Sequence, residues 1–229
     1  MNKMFALIMF VITVSVNGNF WAQEKLLMDI GDWEPFTSSR DTESQILEQL
    51  VREIYALFGI KVEYRYYPWL RSLTNVENGE CDGSFPLIKT PERDITTLSC
   101  KEPILIEDSV FFYLKKKRFD WSTMDDLKPY RIGGTIDYAY MEPFENVNLH
   151  IEYVAYEDLN FITLAERRID IYPASREVGI YLIHMLFEEP EISQFTYHPK
   201  PLNSQKYYVL ISRKNPRAQE LADLFDEGL

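Results

Sequence analysis

The residue best suited to bind something is Arg93, and the stretch that leads to it, Gly79 to Arg93, is unusually rich in local signals. A turn at Asn78-Gly79 precedes a short apolar strand predicted over Cys81 to Phe85, which Pro86 breaks. Thr90-Pro91-Glu92 then reads as a helix start, with Thr90 as N-cap and Pro91 at the first helical position. Helix starts leave backbone N–H groups unpaired and carry partial positive charge, so they suit anions. One turn in, the guanidinium fork of Arg93 could hold a carboxylate by two parallel hydrogen bonds. The competing reading is a surface arginine paired with Glu92 or Asp94.

Around this stretch strands and helices alternate. Leu26–Ile30 is an apolar strand closed by Gly31, and residues 44–58 repeat Ile46, Leu50, Ile54 and Leu57 or Phe58 at helical spacing, capped by Gly59. Lys61–Tyr67 alternates Val62, Tyr64 and Tyr66 against charged residues, a strand ended by Pro68, and Trp69–Glu77 forms a second helix. That order predicts a mostly parallel sheet with helices on both faces, and such sheets bind ligands beyond the C-terminal ends of their strands. Trp33, Trp69, Phe85 and Arg93 all follow strand ends in this reading. Their convergence points to a pocket. Further strands are expected at 96–99, 104–114, 130–132, 151–153, 169–172, 195–199 and 207–212, with helices at 121–128, 136–144, 157–167, 177–187 and 216–229. Gly133-Gly134-Thr135 is expected as a glycine-rich turn offering N–H groups to an anion; it lacks the lysine of a nucleotide loop.

The chain has 229 residues, 46% of them hydrophobic and 26% charged, which is enough for one large or two modest globular units. Its net charge of −12 argues against nucleic acid as a partner. Aromatic residues make up 14%, an excess that suits either pocket lining or core filling. Lys3 followed by the apolar run Met4–Val16 and small residues at Gly18 and Ala22 is expected to be a cleaved secretory signal, assigned to residues 1–22. The two cysteines, Cys81 and Cys100, fit either one disulfide or two buried thiols in an oxidising compartment. No metal site or cofactor is expected, because the cysteines lack clustered histidines.

Asp82-Gly83-Ser84-Phe85, followed by Thr90-Pro91-Glu92-Arg93 and Leu98-Ser99, resembles the signature of the family 3 solute-binding proteins. These are the periplasmic, polar-amino-acid-type receptors of ABC transporters. Tyr67-Pro68-Trp69-Leu70-Arg71, Gly133-Gly134-Thr135-Ile136-Asp137 and Arg168-Ile169-Asp170 occur in the expected order, so the resemblance runs from about Lys25 to the C-terminus. It implies an α/β, two-lobed type II periplasmic-binding-protein fold, each lobe a mixed, mostly parallel sheet flanked by helices. Residues 23–110 and 206–229 would form the first lobe and 111–205 the second, with hinges near 110–113 and 205–211. A monomer in the periplasm is implied, binding a small-molecule ligand for an ABC permease or, as an alternative, for a separate membrane sensor.

In that family the arginine matching Arg93 grips an α-carboxylate, and the aromatic matching Trp33 flanks the ligand; packing on Pro35 and Phe36 is the other role open to Trp33. The implied lining adds Trp69, Phe85, Pro86, Thr135, Asp137, Tyr138 and Ser175. Two positions depart from the pattern. Ile88 stands where a hydroxyl helps the carboxylate clamp, and Ser175 stands where an acid holds the α-ammonium. Burying an ammonium without a carboxylate costs several kcal/mol, so a standard α-amino acid fits only if another acid substitutes, with Asp137 and Glu177 nearest, or an aromatic box of Trp33, Trp69 and Phe85 holds the cation by its ring faces. A small carboxylate-bearing solute, amino acid or related organic acid, is the expected ligand. A dehydratase-like enzyme is the remoter alternative; Glu34, Asp137 or Glu142 could act as its acid, but general acid catalysis needs a raised pKa that no sequence pattern supplies. The dispersed His150, His184 and His198 accompany no nucleophile motif, and no catalytic residue is assigned.

Overall fold

The computed structural model describes residues 24–40, 43, 45–136, 144 and 147–229. The expected signal over 1–22, and the ligand candidates Asp137 and Tyr138, lie outside the described residues, as does Glu142. In chain order the elements are β1 (Lys25–Ile30), α1 (Ile46–Ala56), β2 (Lys61–Tyr66), α2 (Trp69–Asn78), β3 (Gly83–Leu87), α3 (Arg93–Thr96), β4 (Thr97–Ser99) and β5 (Leu105–Leu114). Next come β6 (Arg131–Thr135), β7 (His150–Val154), α4 (Glu157–Ala165), β8 (Tyr172–Ser175), α5 (Arg176–Leu186), β9 (Phe195–Tyr197), β10 (Asn203–Ser212) and α6 (Ala218–Gly228).

The main sheet runs β2-β1-β3-β10-β5-β8, with β4 beside β10 and β9 beside β5. β1 is parallel to β2 and β3, while β10 and β5 run antiparallel to their neighbours. β6 and β7 form a separate parallel pair, joined to the β8 side by a bridge from Ile132 to Ile171. The long strands β5 and β10 link the two ends of this sheet. Residues 203–207 of β10 pair with 105–109 of β5; beyond that, β10 joins β3 and β4, while β5 joins β8 and β9.

Alternation along β1 places helices on both faces of the first lobe. Leu26, Met28 and Ile30 enter a core with Val51 and Tyr55 of α1 and Phe225 of α6. Asp29 points the other way and accepts a hydrogen bond from Asn75 Nδ2 of α2 at 2.6 Å. β5 divides the second lobe in the same way: Phe112 packs with Phe161 and Tyr172, while Phe111 packs with Trp121 and Phe144. Each such buried side chain stabilises the fold by roughly 1.5–3 kcal/mol relative to exposure. No helix among the described residues is long and apolar enough to cross a membrane.

Several expectations need correction. The buried face of α1 is Leu47, Val51, Ile54 and Tyr55, so Ile46 and Leu57 stand exposed. β3 continues through Pro86 to Leu87 rather than ending at Phe85. The helix begun at Thr90-Pro91 is a single turn, too short to offer an anion site at its start. Gly133 and Gly134 are strand residues of β6, not a turn. A Cβ on Gly133 would meet Asn160 Oδ1 and Ile169 Cδ1 at 2.5 Å, so close packing explains that glycine. β8 runs past Pro173 to Ser175.

Candidate functional site

The loop after β1 is knotted by its own backbone: Trp33 N donates to Thr37 O at 2.8 Å, and Thr37 Oγ1 donates to Gly31 O at 2.8 Å. This holds the half-buried Trp33 ring 4.9 Å from Phe36 and 5.0 Å from Tyr207 of β10. The indole of Trp69, at the start of α2, lies over Gly31, where a Cβ would meet it at 2.5 Å. Glycine is needed there for the loop and the indole to pack together. The Trp33–Tyr207 pair and the Trp69 indole therefore lie at the C-terminal ends of β1 and β2, the pair also against β10.

Arg93 sits in the turn beyond β3. Thr90 caps that turn, its Oγ1 accepting from Arg93 N at 3.3 Å. The Arg93 Nη1 donates to the carbonyl of Ile88 at 2.7 Å, and among the described residues no carboxylate lies within ion-pair distance of it. The alternative pairing with Glu92 or Asp94 is not formed. Burial lowers the guanidinium pKa from its ordinary value, against the nearby charges of Glu77 and Glu92. A half-buried arginine with most of its donors unspent can accept a carboxylate or another anion.

Thr135 ends β6, fully buried, its hydroxyl 2.9 Å from Tyr172 OH and accepting from Asn160 Nδ2 at 3.0 Å. Tyr172 OH also reaches Glu157 Oε1 at 3.4 Å, at the start of α4. Ser175 ends β8 and precedes α5. Its buried hydroxyl lies beside Glu107 of β5 without closing a hydrogen bond of good geometry. Glu107 accepts from Glu177 N at 3.2 Å, and burial pushes its carboxyl above the ordinary value. Tyr207 lies near both Glu107 and Glu157; burial first, then these two charges, push its phenol up to about 12.

Other candidates fall elsewhere. Phe85 is fully buried in the first core, its ring 5.8 Å from Tyr64, and Pro86 is buried beside it, so neither presents a surface. Glu177, a candidate ammonium partner by sequence, is engaged by Arg176 Nε at 2.9 Å. Cys81 and Cys100 are free, not bonded: both are buried, and Cys81 Sγ donates to Gly83 O at 3.4 Å. Burial pushes the Cys81 thiol up to about 12 and the Cys100 thiol higher, so neither is a ready nucleophile. Glu34 accepts from Ser38 Oγ and Arg40 Nη2. His198 accepts from Lys200 N through Nδ1, which leaves Nε2 as the donor to Asp120 Oδ1 at 3.1 Å; no nucleophile joins that pair. His184 is exposed. Among the described residues no cluster could hold a metal ion. A surface hollow of about 680 Å³, lined by Lys115, Lys117, Arg118, Phe119 and Tyr130 among others, contains none of the candidate residues.

Sequence reasoning missed Tyr207, Glu107 and Glu157. The available signal was Glu107-Asp108 set inside an otherwise apolar β-run, where charges require a local reason.

No family model and no curated protein matches the chain by sequence. Solved structures do match it in fold. The arginine-bound form of truncated ArgBP from T. maritima is 14% identical, with a TM-score of 0.67 over 89% of this chain and 94% of that one. The GluR0 ligand-binding core from Nostoc punctiforme, in complex with L-glutamate, is 15% identical, with a TM-score of 0.66 over 87% and 91%. A histidine kinase sensor domain with similarity to periplasmic binding proteins is 17% identical, with a TM-score of 0.67 over 90% and 89%. The chain therefore has the two-lobed type II fold of these periplasmic-binding-protein structures, the architecture expected from its sequence.

Proposed function

We propose that this chain is a solute-binding protein that takes a small, carboxylate-bearing molecule between its two lobes. The observation that carries the reading is Arg93: a half-buried guanidinium with one carbonyl contact and no carboxylate of the described chain within reach. Leaving a charge half-buried and unpaired is costly unless something outside the chain completes it. A lobe built from 23–110 and 206–229 closes on one built from 111–205, with β5 and β10 as the flexing strands. Closure removes water from the cleft and strengthens the Arg93 clamp. Trp33, Trp69, Thr135 and Ser175 face that cleft in this reading, after export of the chain to the periplasm.

Once the ligand is held, the first reading is delivery to an ABC permease. The similarity to a histidine kinase sensor domain supports a second, in which closure is read by a membrane sensor. The test is a thermal-shift screen against amino acids, organic acids, amines and short peptides. A ligand that binds only the folded state stabilises it by about 2.7 kcal/mol at a hundredfold excess over Kd. Hits bearing carboxylates that vanish in Arg93→Ala support the reading. Hits that persist in that variant refute the clamp. Copurification of the liganded protein with permease or with kinase then separates the two readings.

A further inference from the structure

Ser175 stands where an acid would hold an ammonium, yet an acid stands beside it in space. In the ladder between β5 and β8, Ser175 lies opposite Ser109. Glu107 is two residues before Ser109, so its side chain leaves the same face of the ladder. In β10, Gln205 lies opposite Glu107 and Tyr207 opposite Leu105, which puts Tyr207 on that face too. One β-face thus gathers Ser175, Glu107 and Tyr207, drawn from three strands.

Glu107 is only 3% exposed. Its hydrogen bond from Glu177 N caps α5 but brings no charge. Among the described residues no lysine, arginine or histidine nitrogen pairs with it, because the neighbouring Arg176 is spent on Asp108 at 3.2 Å and on Glu177 at 2.9 Å. The Ser175 hydroxyl, 7% exposed, closes no hydrogen bond of good geometry. A buried carboxylate beside the Ser175 hydroxyl, with its nearby cation Arg176 held at contact distance by two other acids, is incompletely compensated. The Trp33–Tyr207 ring pair stands against the same strand, and the charges of both Glu107 and Glu157 reach the Tyr207 phenol. Carboxylates and aromatic rings together suit a cationic nitrogen.

We propose that Glu107 receives the cationic nitrogen of the ligand, with Ser175 as a neutral acceptor beside it, Glu157 as a second carboxylate and the Trp33–Tyr207 pair as an aromatic wall. The ligand class narrows to solutes bearing an ammonium or guanidinium group. This rests on the cleft-binding reading above and deepens it, because the acid missing from the chain's own sequence pattern is supplied from a different strand.

The experiment is calorimetric titration of the mature protein and its Arg93→Ala, Glu107→Gln and Glu157→Gln variants. The probes are matched amines, carboxylic acids and amino acids on shared carbon skeletons, including L-arginine with agmatine and L-glutamate with glutarate. Glu107→Gln keeps an oxygen to accept from Glu177 N, so α5 stays capped. The expected result is that cation-bearing probes weaken on the order of tenfold to several-hundredfold in Glu107→Gln, while amine-free analogues change by less than about twofold. Glu157→Gln should act in the same direction and more weakly. Equal weakening of amine-bearing and amine-free probes would show a merely structural Glu107 and overturn the proposal. So would binders that all lack a cation, or a wild-type protein that binds no cation-bearing probe. Acid-only binders lost in Arg93→Ala would sink this proposal and keep the carboxylate reading; amine-only binders lost in Glu107→Gln but kept in Arg93→Ala would do the reverse.

Discussion

Two arginines of the first lobe show how differently the same side chain is used. Arg65, on β2, donates from Nε and Nη2 to the two oxygens of Asp29 at 2.7 and 2.9 Å, and from Nη2 to Glu80 O at 3.1 Å. Asp29 has no exposed surface and also takes the Asn75 amide, so Asp29 ties β2 to β1 by the ion pair and α2 to the sheet by the amide. Among the described residues Arg93 has one carbonyl and no carboxylate at contact distance. The pKa directions differ accordingly: the Asp29 hydrogen bond raises Arg65, whereas burial lowers Arg93. A charge completed inside the chain is architecture. A charge left incomplete beside a row of strand ends is, in the function proposed, where a ligand completes it.

The largest expected effect tests the completed pair. Asp29→Ala removes three hydrogen bonds and strands Arg65 and Asn75, and should cost about 3–5 kcal/mol in urea unfolding. Arg93→Ala should behave oppositely: unfolding without ligand stays unchanged or becomes harder, while ligand affinity falls by about 2–5 kcal/mol. If the ligand-free Arg93→Ala protein lost as much stability as the Asp29 variant, the contrast between the two arginines would collapse. Gly31→Ala comes next. Its Cβ would press on the Trp69 indole, costing about 1–3 kcal/mol and shifting the tryptophan emission; an unchanged spectrum would mean that the indole does not depend on that glycine.

How far these roles could be read in the sequence depends on which forces are local. Strands and helices were legible because periodicity and caps are local: Gly59 and Gly79 both adopt positive φ at the expected helix ends. The buried face of α1 was misjudged by one residue, since Ile46, Leu50 and Ile54 are as regular a stripe as Leu47, Val51 and Ile54, and only tertiary contacts choose between them. Periodicity also hid Glu48, fully buried on that face and bonded by Ser38 N and Tyr66 OH. Pro86 looked like a strand end, but proline in a strand is tolerated where its missing N–H is not needed. Gly133 and Gly134 looked like a turn, yet side chains from α4, β7 and Ile169 crowd them within a strand. Arg93 stood out because its motif is contiguous. Glu107 could not, because its partners Ser175 and Tyr207 come from strands about seventy and a hundred residues away, joined only by register.

The smallest expected effect sharpens the contrast on the acid side, between Glu107 and Asp170. Burial pushes Asp170 up, but its bonds to Arg131 and Lys117 outweigh this and hold it well below the ordinary 3.8. A depressed carboxyl contributes stability above its unfolded pKa and loses it as pH falls through the folded one, so Asp170 stabilises the fold at neutral pH and that contribution is lost only in acid. Glu107 has the opposite sign: burial raises it above 4.5, so the folded protein holds that proton longer than the unfolded chain does. Its penalty is absent below 4.5, grows as pH rises through the folded pKa, and persists at neutral pH. Glu48 is raised for the same first reason, burial, and contributes a parallel penalty. In urea unfolding at about pH 5 and about pH 7, Glu107→Gln should therefore gain stability relative to the parent chain at the higher pH. The gain should be smaller than the Gly31→Ala loss, and Glu48→Gln serves as the control for a buried acid tied into the fold. A cation-bearing ligand should cancel the gain, because it supplies to wild-type Glu107 the charge that the empty site lacks. If the ligand stabilised both proteins equally at the higher pH, Glu107 would be an ordinary helix cap, and the incomplete acid would lose its claim to a ligand.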